Sequence, residues 1–204
     1  MDFERTPASL AILGCIVVVS FLALRVNPEM LERNLLRPYW MLRKKTYDTL
    51  VTCGFIHGDF GHLLFNALTL YFFGPNLEYR IGTVKFLTLY FLGLVLSSLG
   101  TVWKRRKDPN YASLGASGAI LAVLFAHILY FPNSTILLFF ALPIPSPLFA
   151  IGYLVYSVWA SKHARDNINH DAHLDGALTG VLFVAVTDFR VWERAFNVLF
   201  GWMG

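Results

Sequence analysis

Residues 109–161 contain no Asp, Glu, Lys or Arg, and this charge-free stretch limits what the chain can fold into. A transmembrane helix needs about 20 apolar residues, so the stretch is too long for one membrane span but suits two. Proline interrupts a helix, and the prolines that would divide the two spans are Pro132, Pro143, Pro145 and Pro147. The whole chain is 56% hydrophobic and only 15% charged, a composition that excludes a soluble globule. The sequence therefore predicts a membrane protein.

Six apolar segments of the 204-residue chain are candidate spans. They cover residues 8–24, 60–73, 84–103, 115–131, 147–160 and 172–187. Because the connections are short, we expect one all-α membrane domain over residues 1–204, with no room for a separate soluble domain. Acidic residues precede the first segment, which favours a retained span over a cleaved signal peptide.

Two segments outside these spans are amphipathic. Residues 25–50 mix basic side chains with Leu, Trp and Met, a pattern typical of a segment on the bilayer surface. Residues 189–204 indicate a short amphipathic tail. The net charge of +4 indicates contact with membrane lipid rather than nucleic acid, because no aromatic and basic recognition pattern accompanies it. Cys15 and Cys53 lack the spacing of a metal site or a disulfide framework.

Polar side chains inside membrane spans are costly and mark functional sites by default. His62 and Asn66 are four residues apart in the second segment and therefore share one helical face. Ser117 begins the fourth segment, and His173 lies near the start of the sixth. If all six segments cross the membrane, the second, fourth and sixth begin on the same side. We therefore expect His62, Ser117 and His173 at one depth, just below one membrane surface.

Small residues near Ser117 and His173 would leave backbone N–H groups accessible and would allow close helix packing. Ser117 is flanked by Gly115 and Gly118 where its helix begins, so its hydroxyl would lie beside free backbone N–H groups. Two glycines four residues apart follow His173 and let another helix approach closely: Gly176 and Gly180.

This arrangement suits nucleophilic catalysis. A histidine within reach of a serine hydroxyl can act as general base and then as general acid, which predicts catalytic roles for Ser117 and His173. Side-chain donors from His62 and Asn66, with the backbone N–H of Ser117, would form an oxyanion hole. No acidic third member is evident, and the predicted chemistry needs neither metal nor organic cofactor.

Each of these residues also has a structural interpretation when considered singly. Serine, glycine, asparagine and histidine in membrane helices most often serve helix packing or interhelical hydrogen bonds. Their joint occurrence at one depth favours chemistry for Ser117, His173, His62 and Asn66. For His57, support of the second helix is the preferred interpretation, and His127 is expected to be structural.

Four groups of residues carry a resemblance to a known family. In chain order they are Phe55-Ile56-His57-Gly58-Asp59 with His62 and Asn66; Glu78, Gly82 and Phe86; Gly115-Ala116-Ser117-Gly118; and Ala172-His173 with Gly176 and Gly180. Over residues 55–180 the chain resembles the rhomboid intramembrane serine proteases, and within them bacterial relatives of the presenilin-associated rhomboid-like group. The resemblance implies a six-helix bundle with an interfacial first loop and a catalytic Ser117 and His173. It also implies an oxyanion hole at His62 and Asn66 and cleavage of transmembrane protein substrates. The short length and the lack of a recognisable targeting peptide lead us to expect residence in a bacterial plasma membrane.

Three departures from the family pattern stand out. Asp48 and Thr49 occupy the place of a Trp-Arg pair that many members carry in the first loop. Leu121 stands four residues after the serine, where some members stack a tyrosine on the catalytic histidine. Asp175 is a charge that the last helix does not usually contain.

Other functions remain as alternatives. The principal one is a catalytically silent rhomboid-like protein that binds membrane clients, which would have no need of both Ser117 and His173. Six histidines without an adjacent pair are too few for a di-iron histidine-box enzyme, and no HExxH motif indicates a zinc protease. No inverted repeat indicates a transporter.

The distribution of Lys and Arg conflicts with the orientation that the family resemblance implies. The side holding the first, third and fifth loops carries 12 of the 17 basic residues: Arg25, Arg33, Arg37, Arg43, Lys44, Lys45, Lys104, Arg105, Arg106, Lys107, Lys162 and Arg165. The other side carries five: Arg5, Arg80, Lys85, Arg190 and Arg194. The positive-inside rule would place the first set, and with it Ser117, in the cytoplasm. The resemblance implies cytoplasmic termini and a site that opens on the opposite side, and we favour that orientation.

Overall fold

Proline and glycine divide this apolar chain into helices, as seen in a computed structural model that describes residues 5–138, 141–164 and 168–200. Four helices begin with proline at the first or second position, where its missing N–H costs nothing. The helices are α1 Pro7–Arg25, α2 Pro28–Asn34, α3 Pro38–Lys44, α4 Thr49–Thr52, α5 Phe60–Ile81, α6 Thr83–Arg105, α7 Ser117–Tyr130, α8 Ser146–His163, α9 His170–Thr187 and α10 Arg190–Phe200.

Six of these helices coincide with the predicted apolar segments. Five agree within three residues at each end, namely α1, α6, α7, α8 and α9. The segment predicted as 60–73 is wrong at its C-terminal end, because α5 continues through Pro75 to Ile81. Pro75 is buried and its helix continues past it, so here the missing backbone hydrogen bond does not end the helix. The amphipathic tail forms α10, and residues 201–204 lie outside the described ranges.

The expectation of an entirely helical chain requires one correction. Between α7 and α8, strand β1 (Thr135–Leu138) pairs antiparallel with β2 (Leu142–Pro145), with Thr135 opposite Pro145. The prolines here lack the N–H that a helix interior uses, and the extended backbone satisfies its polar groups by pairing between the two strands. The connection between the two helices is therefore a β-hairpin in a mostly helical structure.

The interfacial segment 25–50 contains α2, α3 and the start of α4. It joins α1 to α5 and packs against the C-terminal part of α6, where Leu36, Met41 and Cys53 bury a small apolar cluster with Val102. Arg43 and Lys44 lie over the rings of Tyr39 and Trp40. These basic and aromatic pairs fit the surface position that the sequence predicts.

Helix α7 lies at the centre of the bundle and packs against α5, α6 and α9. Its residues 118–128 are all buried. The approach of α9 is the closest, since a Cβ at Gly176 would overlap the backbone of Gly118, and a Cβ at Gly180 would overlap the backbone of Ala122. Four-residue glycine spacing thus brings the two backbones into direct contact.

The opposite end of the bundle is fixed by a buried carboxylate. Glu78 of α5 is fully buried and accepts hydrogen bonds from the backbone N–H groups of Ala8 (3.0 Å) and Ser9 (2.7 Å) at the start of α1. Thr83 donates a third bond to it, at 2.8 Å. The N-cap residue of α1 makes no side-chain capping bond, so the Glu78 carboxylate takes its place and satisfies backbone N–H groups that have no partner within the helix.

Two of the described helices, α1 and α6, are long and apolar enough to cross a membrane by length and composition, and α7 is a shorter apolar helix. Large apolar side chains are exposed on α1, α5, α8 and α9, among them Val18, Leu64, Val155, Leu182 and Val186. Exposed apolar surface on this scale is typical of contact with lipid.

The glycine contact predicts a difference between two identical substitutions. Gly180→Ala forces a Cβ into the backbone of α7 and should lower the free energy of unfolding by about 1–3 kcal/mol. Gly152→Ala places the same atom in open space on α8 and should be neutral or slightly stabilising, because alanine favours helix. Thermal unfolding of both variants in detergent measures the difference, and equal melting temperatures would contradict the close approach.

Candidate functional site

The loop before α7 is held by backbone hydrogen bonds to the first connection. Ser113 and Leu36 exchange two bonds of 2.9 Å, and the Gly115 N–H donates to the carbonyl of Cys53 at 2.9 Å. Gly115 has φ +109°, a left-handed conformation that favours glycine. The chain therefore turns sharply at Gly115 and begins α7 at Ser117.

Ser117 and His173 are joined by a hydrogen bond. The His173 Nε2 lies 2.8 Å from the Ser117 Oγ, and both side chains are only partly buried. The next residue, Gly118, lets α6 approach closely, because a Cβ there would overlap the hydroxyl of Ser97. Helix α7 has no side-chain N-cap, so its first backbone N–H groups face the region around Ser117 without a helical partner.

Asn169 fixes the start of α9 and was not predicted. Its Oδ1 caps the helix by accepting from Ala172 N at 3.1 Å. Its Nδ2 donates to Thr101 Oγ1 at 2.8 Å and to Ser113 Oγ at 3.1 Å. One amide thus connects α6, the loop before Ser117 and the helix that carries His173. The Asn-x-x preceding an apolar run is a capping signal, but the contacts with α6 have no sequence signature.

Tyr153 is a second residue that the sequence did not reveal. Its hydroxyl, on α8, lies 3.1 Å from His173 Nδ1. The ring stacks on Phe149 at 5.7 Å between centroids and lies 5.8 Å from the ring of Phe125. A tyrosine in an apolar helix is ordinarily a packing or interfacial residue, so its position beside the histidine only emerges from the fold.

His62 and Asn66 lie on the face of α5 that approaches the loop before α7. Asp59 caps α5 by accepting from the His62 N–H at 2.8 Å. The imidazole packs on Gly115, where a Cβ would lie 2.6 Å from His62 Cε1 and 2.7 Å from Nε2. Asn66 is 7% exposed, and its Nδ2 has no hydrogen-bond partner in the described part of the chain. A buried amide donor without a partner is unusual and costly.

His57 supports this region from outside the helix. It is fully buried, its Nδ1 lies 2.8 Å from Ser20 Oγ of α1, and its ring packs edge-on against His62 at 4.9 Å. Burial lowers the pKa of His57 to about 3, with a smaller contribution from His62 that also lowers it and one from Asp59 that raises it. The imidazole is therefore neutral at physiological pH and joins α1 to the chain leading into α5.

The residues that depart from the family pattern make other contacts. Leu121 is buried in an apolar cluster with Phe125 and Ala177, against which Tyr153 packs. Asp175 points toward α6, where its carboxylate would overlap a Cβ at Gly100. Thr49 is buried and bonds to the carbonyl of Thr46 at 2.7 Å, which fixes a local turn in the first connection.

The geometry gathers most of the predicted residues at one end of the bundle. Ser117 and His173 form a hydrogen-bonded serine and histidine pair, and His62 contacts Gly115 in the loop before Ser117. His127 does not belong to this group, because its ring packs between Phe73 and Phe131 near the other end of α7. The arrangement is chemically competent for acyl transfer through a serine.

Comparison with known proteins identifies relatives of this chain. Residues 44–188 match the model of the Rhomboid domain. RHOMBOID-like protein 12, mitochondrial, from Arabidopsis thaliana is 29% identical over 171 residues, which cover 76% of this chain and 51% of that protein. Rhomboid protein 1, mitochondrial, from Saccharomyces cerevisiae is 32% identical over 158 residues, which cover 71% and 44%. Putative rhomboid protease YdcA from Bacillus subtilis is 33% identical over 135 residues, which cover 65% and 63%.

The chain spans about half the length of the mitochondrial relatives it matches. Presenilin-associated rhomboid-like proteins are also among the relatives, as the sequence motifs suggested. Because relatives occur in both mitochondria and bacteria, residence in a bacterial plasma membrane stays a prediction. The matched domain covers most of the chain, and the resemblance that its motifs indicated is confirmed. The chain is an integral membrane protein and belongs to the rhomboid family of serine intramembrane proteases, which also has inactive members.

Proposed function

We propose that this protein is an intramembrane serine endopeptidase in which Ser117 is the nucleophile and His173 the general base. The observation that carries the proposal is the 2.8 Å hydrogen bond between Ser117 Oγ and His173 Nε2 at the start of α7. Hydrogen-bond reach between a hydroxyl and an imidazole is the first geometric requirement for activating a serine. Family membership supports the same reaction class.

The reaction follows from these two groups. Ser117 Oγ attacks the carbonyl carbon of a substrate peptide bond while its proton passes to His173 Nε2. His173 then gives that proton to the leaving amine as the C–N bond breaks, which leaves an acyl-enzyme on Ser117. Water attacks this ester with His173 again as base, and the proton returns to Ser117 Oγ as the carboxylate product leaves.

Asn66 and His62 are the proposed side-chain donors to the oxyanion. The unpaired, buried Nδ2 of Asn66 supports this role, because an amide that bonds the negative oxygen of the transition state must be free before the reaction. The contact of His62 with Gly115 brings its ring beside the loop that leads to Ser117. The backbone N–H of Ser117, in the first turn of α7, completes the set.

The proposed substrates are transmembrane segments of other proteins. We infer that α1, α5, α6, α7, α8 and α9 all cross the membrane, which sets Ser117 a short distance below one surface. A substrate helix shields its peptide carbonyls by hydrogen bonding, so cleavage requires a segment that unwinds near its end. Substrates with small or helix-breaking residues there would be preferred. We also propose that the protein resides in a bacterial plasma membrane.

A catalytically silent protein that binds membrane clients is the second candidate. Some rhomboid-family members are inactive. The hydrogen-bonded pair of Ser117 and His173 favours the enzyme, because a binding protein has no need of both residues.

The first prediction concerns the nucleophile. Purified protein should be labelled covalently by a fluorophosphonate, which forms a bond to an activated serine oxygen and releases fluoride. Ser117→Ala should abolish this labelling and the cleavage of a model transmembrane substrate, with an unchanged melting temperature. Ser134→Ala, the same change at the opposite end of the bundle, should keep both activities. Absence of labelling in folded wild type would favour the silent binder instead.

The second prediction concerns the oxyanion donors. Asn66→Ala should remove about 2–4 kcal/mol of transition-state stabilisation and so lower kcat roughly 30- to 1000-fold, with measurable activity remaining. Asn76→Ala is the control on the same helix, because Asn76 is exposed and bonds only weakly within α5. Steady-state kinetics on the model substrate compare the two. His62→Ala should behave like Asn66→Ala, and full activity in both would eliminate the proposed oxyanion hole.

The third prediction concerns orientation. We propose that both termini face the cytoplasm and that the Ser117 end of the bundle faces the opposite side. Alkaline phosphatase fused after Gly204 and expressed in a bacterium should then be inactive, and green fluorescent protein at the same position should fluoresce. Strong phosphatase activity would show that the 12 basic residues on the Ser117 side govern the topology.

A further inference from the structure

Tyr153 connects α8 to the histidine that activates Ser117. Its hydroxyl lies 3.1 Å from His173 Nδ1, while His173 Nε2 lies 2.8 Å from Ser117 Oγ. We propose that Tyr153 is a positioning residue that holds the His173 imidazole with its proton on Nδ1 and its Nε2 lone pair directed at Ser117. This inference rests on the proposed protease function and assigns a third group to its nucleophile and base.

The direction of the hydrogen bond follows from the chemistry of imidazole. A neutral ring carries one proton, and Nε2 can accept the Ser117 proton only if that proton is on Nδ1. The phenolic oxygen of Tyr153 must then be the acceptor of the Nδ1–H bond, a role that a hydroxyl oxygen can fill. When His173 accepts the proton from Ser117, the same bond becomes charge-assisted and therefore stronger. Tyr153 thus favours the tautomer needed before proton transfer and the cation formed by it.

The tyrosine ring is packed firmly enough to fix this geometry. Phe149 stacks on it with an interplanar angle of 26°, and Phe125 of α7 contacts it from another side. Leu121 lies buried in the same cluster. Some family members stack a tyrosine from the position of Leu121 on the histidine, whereas here an aromatic residue from α8 approaches the ring instead.

The two described carboxylates closest to His173 in sequence are directed elsewhere. Asp171 is one turn or less from His173 in sequence, but it forms a salt bridge with Lys104 at 2.8 Å. Asp175 faces Gly100 of α6. Tyr153 therefore takes the orienting place that an acid occupies in a Ser-His-Asp triad, as a neutral acceptor in an apolar setting.

The test compares Tyr153→Phe with Tyr156→Phe, an identical change one turn or less further along α8. Tyr153→Phe keeps the packed ring and removes only the hydroxyl, so its melting temperature should equal that of wild type. Loss of one hydrogen bond to the base should lower kcat about 10-fold with KM unchanged, and slow fluorophosphonate labelling by a similar factor. Tyr156→Phe should leave both rates at the wild-type level.

Nitrogen-15 NMR of histidine-labelled protein reads the tautomer directly, with the His173 signals assigned by their loss in His173→Gln. Wild type should show Nδ1 protonated at neutral pH, and Tyr153→Phe should shift the population toward the Nε2-protonated ring. An unchanged tautomer, or an unchanged kcat, in Tyr153→Phe overturns this inference and leaves Ser117 chemistry intact. Failure of Ser117-dependent cleavage in wild type overturns the proposed function itself, and it is detected separately from the effect of Tyr153.

Discussion

The contact between α7 and α9 is the constraint on which the rest of the site depends. Lipid gives helices no hydrophobic reason to associate, so close packing of small residues must hold them together. Gly176 and Gly180 bring the backbone of α9 against Gly118 and Ala122, and a single methyl group at either glycine would overlap α7. That separation sets the distance between His173 and Ser117. Misplacement by about 1 Å is enough to reduce catalysis about 10²-fold, so the packing residues are as necessary to the proposed chemistry as the reacting ones.

Polar groups at the Ser117 end are arranged in two contrasting ways. The Asn169 amide is fully used, with one acceptor bond to α9 and two donor bonds to α6 and the loop before Ser117. Satisfied bonds of this kind are strong in a low-dielectric setting and fix the elements they join. The Asn66 amide is buried, and its Nδ2 has no hydrogen-bond partner among the described residues, which costs free energy. Asn169 thus holds the site together, whereas Asn66 has the unused donor that our proposed oxyanion hole requires.

The limits of sequence reasoning follow from the range of each interaction. Helix positions depend on local apolar length and on proline, so five predicted segments fall within three residues of the observed helices. The candidate residues were found because spans that begin on one side place their first turns at one depth. The roles of Asn169 and Tyr153 were not predicted, because their partners Ser113 and His173 are 56 and 20 residues away in sequence. Only tertiary packing brings these pairs together. The paired strands β1 and β2 and the continuation of α5 past Pro75 were not predicted, because tertiary contacts decide how a proline-containing stretch is accommodated.

In this chain the aromatic residue beside the His173 ring is Tyr153 of α8, and position 121 of α7 holds a leucine. The histidine that activates a serine needs its ring held in one orientation and a proton on the nitrogen that faces away from the serine. Neither requirement specifies which helix supplies the residue that contacts the ring. Here Leu121 fills apolar volume beside Phe125, and the aromatic and polar parts come from α8. The orientation of His173 consequently depends on how α8 sits against α9. A substitution that loosens α8 would then slow the chemical step even when Ser117, His173 and the glycine contact between α7 and α9 are intact.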